Sequence, residues 1–180
     1  MSLLIANGSE EFNIRWMIRR DMPDVLGIED NSFAEPWSLD DFTKCLRQRS
    51  VIGFVAETDD RVVGFMIYQL HLHHIELLSL AVEAGFRQCG IGSAMIGKLR
   101  GKLSHERRSS IQTFVSESSL DAQLFFKARG FRCIEIVHDH FETPNADAST
   151  AYLMQFSYSG CCTQSGNRIS GFFGSNKEVI

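Results

Sequence analysis

The chain has 180 residues, of which 44% are hydrophobic and 22% are charged, and its net charge at pH 7 is −4. These values predict one globular domain with its own core, and they give no electrostatic basis for binding nucleic acid or an anionic membrane. The five cysteines have no C-x-x-C spacing, and no apolar run reaches the about 18 residues that span a bilayer. We therefore expect a soluble cytoplasmic protein with reduced thiols, as a monomer or a homodimer.

The first elements are a strand and two helices. Residues 14–19 have strand character, and a helix is predicted to begin at Asp21 with Pro23 in its first turn. A second helix is predicted to begin at Ser38, whose hydroxyl can cap the amide of Asp41.

Three strands are predicted in the middle of the chain. Residues 51–58 and 61–70 are rich in β-branched and aromatic side chains and are separated by two aspartates, a pattern typical of an antiparallel hairpin. Residues 75–82 are almost continuously apolar, which predicts a central strand that is buried on both faces.

The C-terminal half continues with a helix, a strand, a helix and two strands. Ile91, Met95, Leu99 and Leu103 mark one helical stripe, and residues 109–115 follow as a strand. A helix over 120–128 is predicted to end at Gly130, before strands over 131–137 and 150–156. The prediction is an α+β domain over residues 1–158, with a mixed sheet of six or seven strands and about four helices, followed by a Gly/Ser-rich extension over 159–180.

The loop from Arg87 to Gly92, between a predicted strand and a predicted helix, suits an anion such as a diphosphate. Two glycines allow a tight bend, and the helix directs free N–H groups at the bound group. A dinucleotide fingerprint would need a third glycine where Met95 stands, and a triphosphate loop would need a lysine before Ser93. Neither of these phosphate motifs fits.

The loop does resemble the R/Q-x-x-G-x-G/A signature of the GNAT N-acetyltransferase superfamily, with Arg87, Gly90 and Gly92 at its fixed positions. Residues 122–131 (AQLFFKARGF) resemble a later block of that family. Residues 32–38 (SFAEPWS) are similar to a segment of the RimI branch, which acetylates the N-terminal amine of ribosomal proteins. The resemblance, over residues 14–156, implies direct transfer of an acetyl group from acetyl-CoA to a primary amine, of a protein N-terminus or of a small molecule.

The resemblance also implies which residues would bind acetyl-CoA. The main chain of the predicted central strand would pair with the pantetheine arm, and the loop amides would hold the pyrophosphate. The implied binding residues are Leu80, Ala81, Val82, Arg87, Gln88, Cys89, Gly90, Ile91, Gly92, Ser93, Ser119 and Phe126. The thiol of Cys89 is either inert or open to redox or acylation chemistry.

Glu76 is the candidate general base, because it is the one carboxylate in an apolar strand and burial there would favour proton uptake. The alternative is a solvated or salt-bridged charge. RimI-type enzymes carry a second glutamate and an acid tyrosine at the places of Phe114 and Phe126, and phenylalanine cannot donate a proton. Ser119, at the place of an asparagine in the family, is a second catalytic candidate.

The sequence His71-x-His73-His74 raises the question of a metal site. On a strand, His71 and His73 would share one face and His74 would point away, so no metal site is predicted. We expect His74, Phe33 and Trp37 to line an acceptor pocket instead.

Two other functions stay open from the sequence alone. The missing tyrosine and second glutamate allow a catalytically degenerate acyl-CoA-binding regulatory module. A nucleotide-binding interaction domain would also use a glycine loop.

Overall fold

The structure of the protein, a computed structural model, describes residues 2–4, 11–59, 61–141 and 149–158. The predicted extension over 159–180 lies outside these residues. One sheet contains eight strands: β1 (Ser2–Leu4), β2 (Glu11–Trp16), β3 (Val51–Thr58), β4 (Arg61–Leu70), β5 (His74–Val82), β6 (Ser110–Ser116), β7 (Arg132–Phe141) and β8 (Ser149–Ser157). The four α-helices are α1 (Met22–Asp30), α2 (Leu39–Leu46), α3 (Ile91–Arg100) and α4 (Leu120–Ala128).

The strands are ordered β1-β2-β3-β4-β5-β6-β8-β7, and β5 and β6 are the one parallel pair among the described strands. A parallel pair needs a crossover, which α3 supplies between β5 and β6. The predicted mixed sheet with four helices is confirmed, and the three-residue β1 adds one strand at its edge. The helix stop at Gly130 is also confirmed, because this residue has a φ of 81° after α4.

Helices cover both faces of the sheet. On one side, Ile91, Met95 and Leu99 of α3 are buried in the same cluster as Phe126 of α4. On the other side, Val25 of α1 and Phe42 of α2 join a second cluster. The strand residues alternate between these clusters, as the two-residue period of a strand requires. Among the described residues, no helix combines the length and the apolar character that crossing a membrane demands.

The strand predicted over 14–19 is β2, which lies earlier, at Glu11–Trp16, because the chain turns away from the sheet after Trp16. The carboxylate of Asp21 accepts a hydrogen bond from the Ile18 N–H at 2.8 Å, which closes a short 3₁₀ turn over Arg19–Asp21. The helix cap predicted at Ser38 is confirmed: its hydroxyl accepts from the Asp41 N–H at 3.3 Å.

The buried carboxylate of Asp21 should make stability depend on pH. Burial opposes its ionisation, but two hydrogen bonds from Arg15, at 2.6 and 2.9 Å, and one from the Ile18 N–H outweigh this and hold its pKa below the usual value. A lowered pKa contributes stability above the unfolded-state pKa, and this contribution is lost as the pH falls through the folded-state pKa.

We therefore expect Asp21→Asn to lower the free energy of unfolding by about 3–5 kcal/mol at neutral pH, and by less near pH 3. Urea denaturation at both pH values measures the difference. Asp30→Asn, at an exposed position of α1, is the control and should change stability little at either pH. An Asp21→Asn penalty of the same size at both pH values would contradict the role of the ionised carboxylate.

Candidate active site

Strands β5 and β6 separate in the middle of the sheet. They pair only from His74–Ser110 to Glu76–Gln112, although β5 continues to Val82. One further contact closes the vertex, because the Thr113 hydroxyl donates to the Leu77 carbonyl at 3.0 Å. Beyond it, the edge of β5 faces a cleft, over roughly 20 Å of strand from Glu76 to Val82.

A β-bulge in β5 lies beside the vertex. Its register with β4 shifts between Ile67 and Tyr68, which pair with Ser79 and Leu77. A bulge increases the local twist and bends the strand. Since the bulge lies where the β6 pairing ends, we attribute the opening of the cleft to this bend.

The open end of the cleft meets the loop from Arg87 to Gly92. Within the described part of the chain, the main-chain N–H groups of Gln88 to Ser93 have no hydrogen-bond acceptor. Gly90 precedes α3 with a φ of 87°, and Gln88 also has a positive φ, of 63°. These conformations turn consecutive N–H groups toward one point at the positive end of a helix, which is an anion-binding arrangement.

Gly92 is required by packing. A Cβ at this position would lie 3.1 Å from the Phe125 ring, closer than ordinary van der Waals contact. Gly97, on the same helix, has open space where its Cβ would be. The first turn of α3 therefore lies directly against α4.

Arg129 was not anticipated from the sequence. Its guanidinium donates to the Ser93 hydroxyl through Nε at 3.1 Å and through a second nitrogen, and it lies 3.8 Å from the centre of the Phe125 ring. Burial lowers the pKa of Arg129. The contact places a positive charge beside the N-terminus of α3. The arginine in KARGF was the available signal, but its partner is 36 positions earlier.

Glu76 lies at the vertex of the cleft. Its side chain is 25% exposed, so the expected burial is wrong: exposure alternates along β5, and Glu76 is on the more open face. The Glu76 Oε2 atom lies 2.8 Å from His71 Nε2. The carboxylate is therefore accessible to a substrate in the cleft and is held by one side chain.

The expected orientation of the histidines is also wrong. His71 to His73 form a turn rather than a strand, closed by a hydrogen bond from the His71 N–H to the His74 carbonyl at 3.0 Å. The His71 and His74 rings consequently stack, with centroids 4.4 Å apart. Partial burial and the neighbouring histidines lower the pKa of His74, although Glu76 opposes this. His73 is the exposed member of the group.

The positions that differ from the RimI pattern lie apart from one another. Phe114 stacks on His140 with ring centroids 3.8 Å apart. Phe126 is 6% exposed and packs edge-on against Phe125 and Phe131, so it is a core residue. Ser119 is exposed at the start of α4, and its side chain does not cap the helix.

The segment between α1 and α2 is fixed against β5 by a buried carboxylate. Glu29, 2% exposed, accepts from the Trp37 N–H at 3.0 Å and from the Ser79 hydroxyl at 3.5 Å. Burial raises the pKa of Glu29. Arg87 joins this segment to the glycine loop, because it donates to the Val82 carbonyl at 3.0 Å and to the Ser32 hydroxyl at 3.4 Å.

Phe33 is 39% exposed on this segment, and Trp37 packs edge-on against Phe42. Two cavities of about 500 Å³ each border α1, one of them lined partly by Trp37 and Ser38. Neither cavity is lined by Glu76 or by the free amides. They are separate from the cleft between β5 and β6.

The acetyltransferase (GNAT) family model matches residues 13–131, more than half of the chain. The chain belongs to the GNAT acetyltransferase family. The predictions of a GNAT fold and of an enzyme that transfers an acetyl group to an amine are thereby confirmed. The degenerate binding module is not favoured.

Two named N-acetyltransferases and one solved structure are similar to most of this chain. The [ribosomal protein bS18]-alanine N-acetyltransferase of Haemophilus influenzae is 24% identical over 134 residues, which are 74% of this chain and 90% of that protein. The N-alpha-acetyltransferase of Sulfurisphaera tokodaii is 23% identical over 167 residues, 86% of this chain and 98% of that protein. NAA60 of Arabidopsis thaliana in complex with acetyl-CoA is 16% identical, covers 83% of this chain and 99% of its own, and has a TM-score of 0.71.

Proposed function

We propose that this GNAT enzyme acetylates the α-amine at the N-terminus of a protein or peptide, with Glu76 as general base. The observation that carries the proposal is the position of Glu76 at the vertex where β5 and β6 separate. Acetyl-CoA that enters from the glycine loop would extend along β5, so its thioester would lie beside this carboxylate.

The coenzyme half of the site uses mainly the backbone. The free N–H groups of Gln88, Cys89, Gly90, Ile91, Gly92 and Ser93 would hold the pyrophosphate, and Arg129 would add a positive charge at the same helix end. The main chain of Leu80, Ala81 and Val82 would pair with the pantetheine arm as an added strand. Exposed Ser119 would flank that arm from the start of α4, and the buried Phe126 ring would pack behind it.

The reaction needs a neutral nitrogen. The amine attacks the thioester carbonyl, a C–N bond forms, and the C–S bond breaks as the thiolate leaves. The proton released by the nitrogen passes to the Glu76 carboxylate, directly or through water. Since Phe126 has no proton to give, the thiolate would take its proton from water or from Ser119, and a thiol with a pKa of about 8.5 is an acceptable leaving group.

The small number of acid–base residues in the site favours an α-amine as the acceptor, because Phe114 and Phe126 stand where RimI-type enzymes carry a second glutamate and an acid tyrosine. With a pKa of about 8, about one α-amine in ten is neutral at pH 7, compared with about one lysine side chain in 2,500. The relatives from Haemophilus influenzae and Sulfurisphaera tokodaii are named as a ribosomal-protein alanine N-acetyltransferase and an N-alpha-acetyltransferase, which also supports an α-amine as the acceptor. Phe33 and Trp37, on the segment that Glu29 fixes against β5, and His74, at the start of β5, would line the acceptor side.

A matched pair of peptides tests the acceptor. One peptide has a free N-terminus and one internal lysine, and the other is identical but blocked at its N-terminus. With acetyl-CoA, mass spectrometry should find acetylation of the first peptide on its α-amine and none of the second. Acetylation of the lysine in both peptides, or of small amines alone, would contradict the proposed acceptor. Coenzyme binding by calorimetry without transfer to any amine would contradict catalysis itself.

A further inference from the structure

Three metal-ligating side chains converge beside the cleft, although in the proposed acetyl transfer only Glu76 takes part in the chemistry. The donor atoms of His71, His74 and Glu76 all lie within 4.8 Å of one another. The closest approach is the 2.8 Å between His71 Nε2 and Glu76 Oε2. The imidazoles lie side by side rather than on opposite sides of a strand.

The fold holds these donors close together before any ligand arrives. The turn that joins β4 to β5 is closed by the hydrogen bond from the His71 N–H to the His74 carbonyl. Arg108 Nε donates to the His71 carbonyl at 2.6 Å, which ties the turn to the segment before β6. His74 and Glu76 are two residues apart on β5 and therefore share one face.

The donor set has the chemistry of a zinc site. Two imidazole nitrogens and one carboxylate oxygen form a three-ligand set that leaves a fourth position open. Donors at about 2.0–2.2 Å from a tetrahedral ion lie roughly 3.3 Å apart, so binding requires only small side-chain rotations. The His71 and Glu76 side chains are 34% and 25% exposed, which gives an ion access from solvent.

We propose that His71, His74 and Glu76 bind one divalent transition-metal ion, with Zn²⁺ as the preferred ion, and that the bound ion prevents Glu76 from accepting a proton. The second part rests on the proposed function, because it requires Glu76 to be the base. A carboxylate bound to a divalent cation is a much weaker base, because the cation withdraws electron density from both oxygens and repels the incoming proton. Zn²⁺ would thus inhibit acetyl transfer without occupying the coenzyme loop.

Calorimetric titration with Zn²⁺ tests the site directly. The wild-type protein should bind one more equivalent than the His71→Ala/His74→Ala variant, or bind it at least about tenfold more tightly. His73→Ala is the matched control, because His73 is exposed and outside the cluster, and it should bind as the wild type does. Sites elsewhere, such as cysteine thiols, contribute equally to all three titrations.

The folding of the double variant is checked by its circular dichroism and by its acetyl-CoA affinity. The single variants His71→Gln and His74→Gln keep a polar side chain and provide a milder test; each should weaken Zn²⁺ binding. Equal Zn²⁺ binding by the wild type and all folded variants would overturn the site.

The inhibitory role is measured by mass spectrometry of the acetylated peptide. Turnover of the wild type and of His73→Ala should fall in parallel with Zn²⁺ occupancy and return on chelation, whereas the residual turnover of the double variant should not respond. Full turnover of the Zn²⁺-saturated wild type would overturn this role. If no variant produces acetylated peptide without Zn²⁺, the proposed function fails, and calorimetry still decides the metal site.

Discussion

Glu76→Gln should lower kcat for peptide acetylation by about 10²–10⁴-fold while leaving the affinity for acetyl-CoA unchanged. Glutamine has nearly the same size as glutamate and still reaches His71, but it cannot accept a proton at neutral pH. Positioned general bases contribute a rate factor of this size. The carboxylate is partly exposed at the cleft vertex, and its one side-chain partner among the described residues is His71, so its loss should not unfold the domain.

Steady-state formation of acetylated peptide measures kcat, and calorimetry measures acetyl-CoA binding. Glu135→Gln, at an exposed position of β7, makes the same chemical change far along the sheet and should retain wild-type turnover. If Glu76→Gln also retained wild-type turnover, the base would have to be another group. Equal losses of turnover in both variants would indicate a general effect on the fold.

Gly92→Val should weaken acetyl-CoA binding by about tenfold to a hundredfold. A side chain here would lie against the Phe125 ring, because even a Cβ would approach it to 3.1 Å. The first turn of α3 would have to move, and its free N–H groups would no longer converge on the pyrophosphate. A hydrogen bond to a charged group is worth about 1.5–3 kcal/mol, and about 1.4 kcal/mol corresponds to a factor of ten in affinity.

Gly97→Val is the matched control for this change. It lies on the same helix and makes the same exchange of glycine for valine, but a Cβ there meets no atom within 4 Å apart from the neighbouring backbone of its own helix. The effect of intrinsic helix propensity is at least as large in this control, because Gly97 lies in the interior of α3 and Gly92 in its first turn. Calorimetry with acetyl-CoA should show weaker binding for Gly92→Val alone. Unchanged affinity in Gly92→Val would show that the amides of this turn do not hold the coenzyme.

Much of the fold could be predicted because its signals are local. The hairpin of β3 and β4 has the predicted bounds, since its two strands carry β-branched and aromatic runs on either side of a short turn. Helix α4 also begins and ends as predicted, with Gly130 after it. Strand β5 was expected to be buried on both faces, but its exposure alternates, because it borders an open cleft instead of a second complete ladder.

The parts of the site that were missed depend on long-range geometry. The loop at Arg87 to Gly92 was predicted from adjacent residues, and its free amides lie where that pattern indicates. The Ser93–Arg129 contact joins residues 36 positions apart, which no local pattern reveals. The stacked His71 and His74 rings were missed because strand alternation was applied to residues that form a turn.

The separation of β5 from β6 divides the sheet into two half-sheets that are joined at one end. β1 to β5 form the larger half and β6, β8 and β7 the smaller. Between β5 and β6, three residue pairs and the Thr113 hydroxyl join the two halves, and the hydrogen bonds of Ser109 and Arg108 to the turn before β5 lie at the same end. Acetyl-CoA bound along β5 would fill the cleft and contact both half-sheets, which would fix their relative orientation. The measured affinity for acetyl-CoA would then include the free energy of fixing the angle between the two half-sheets. Residues far from the cleft that set this angle would therefore influence how tightly acetyl-CoA binds.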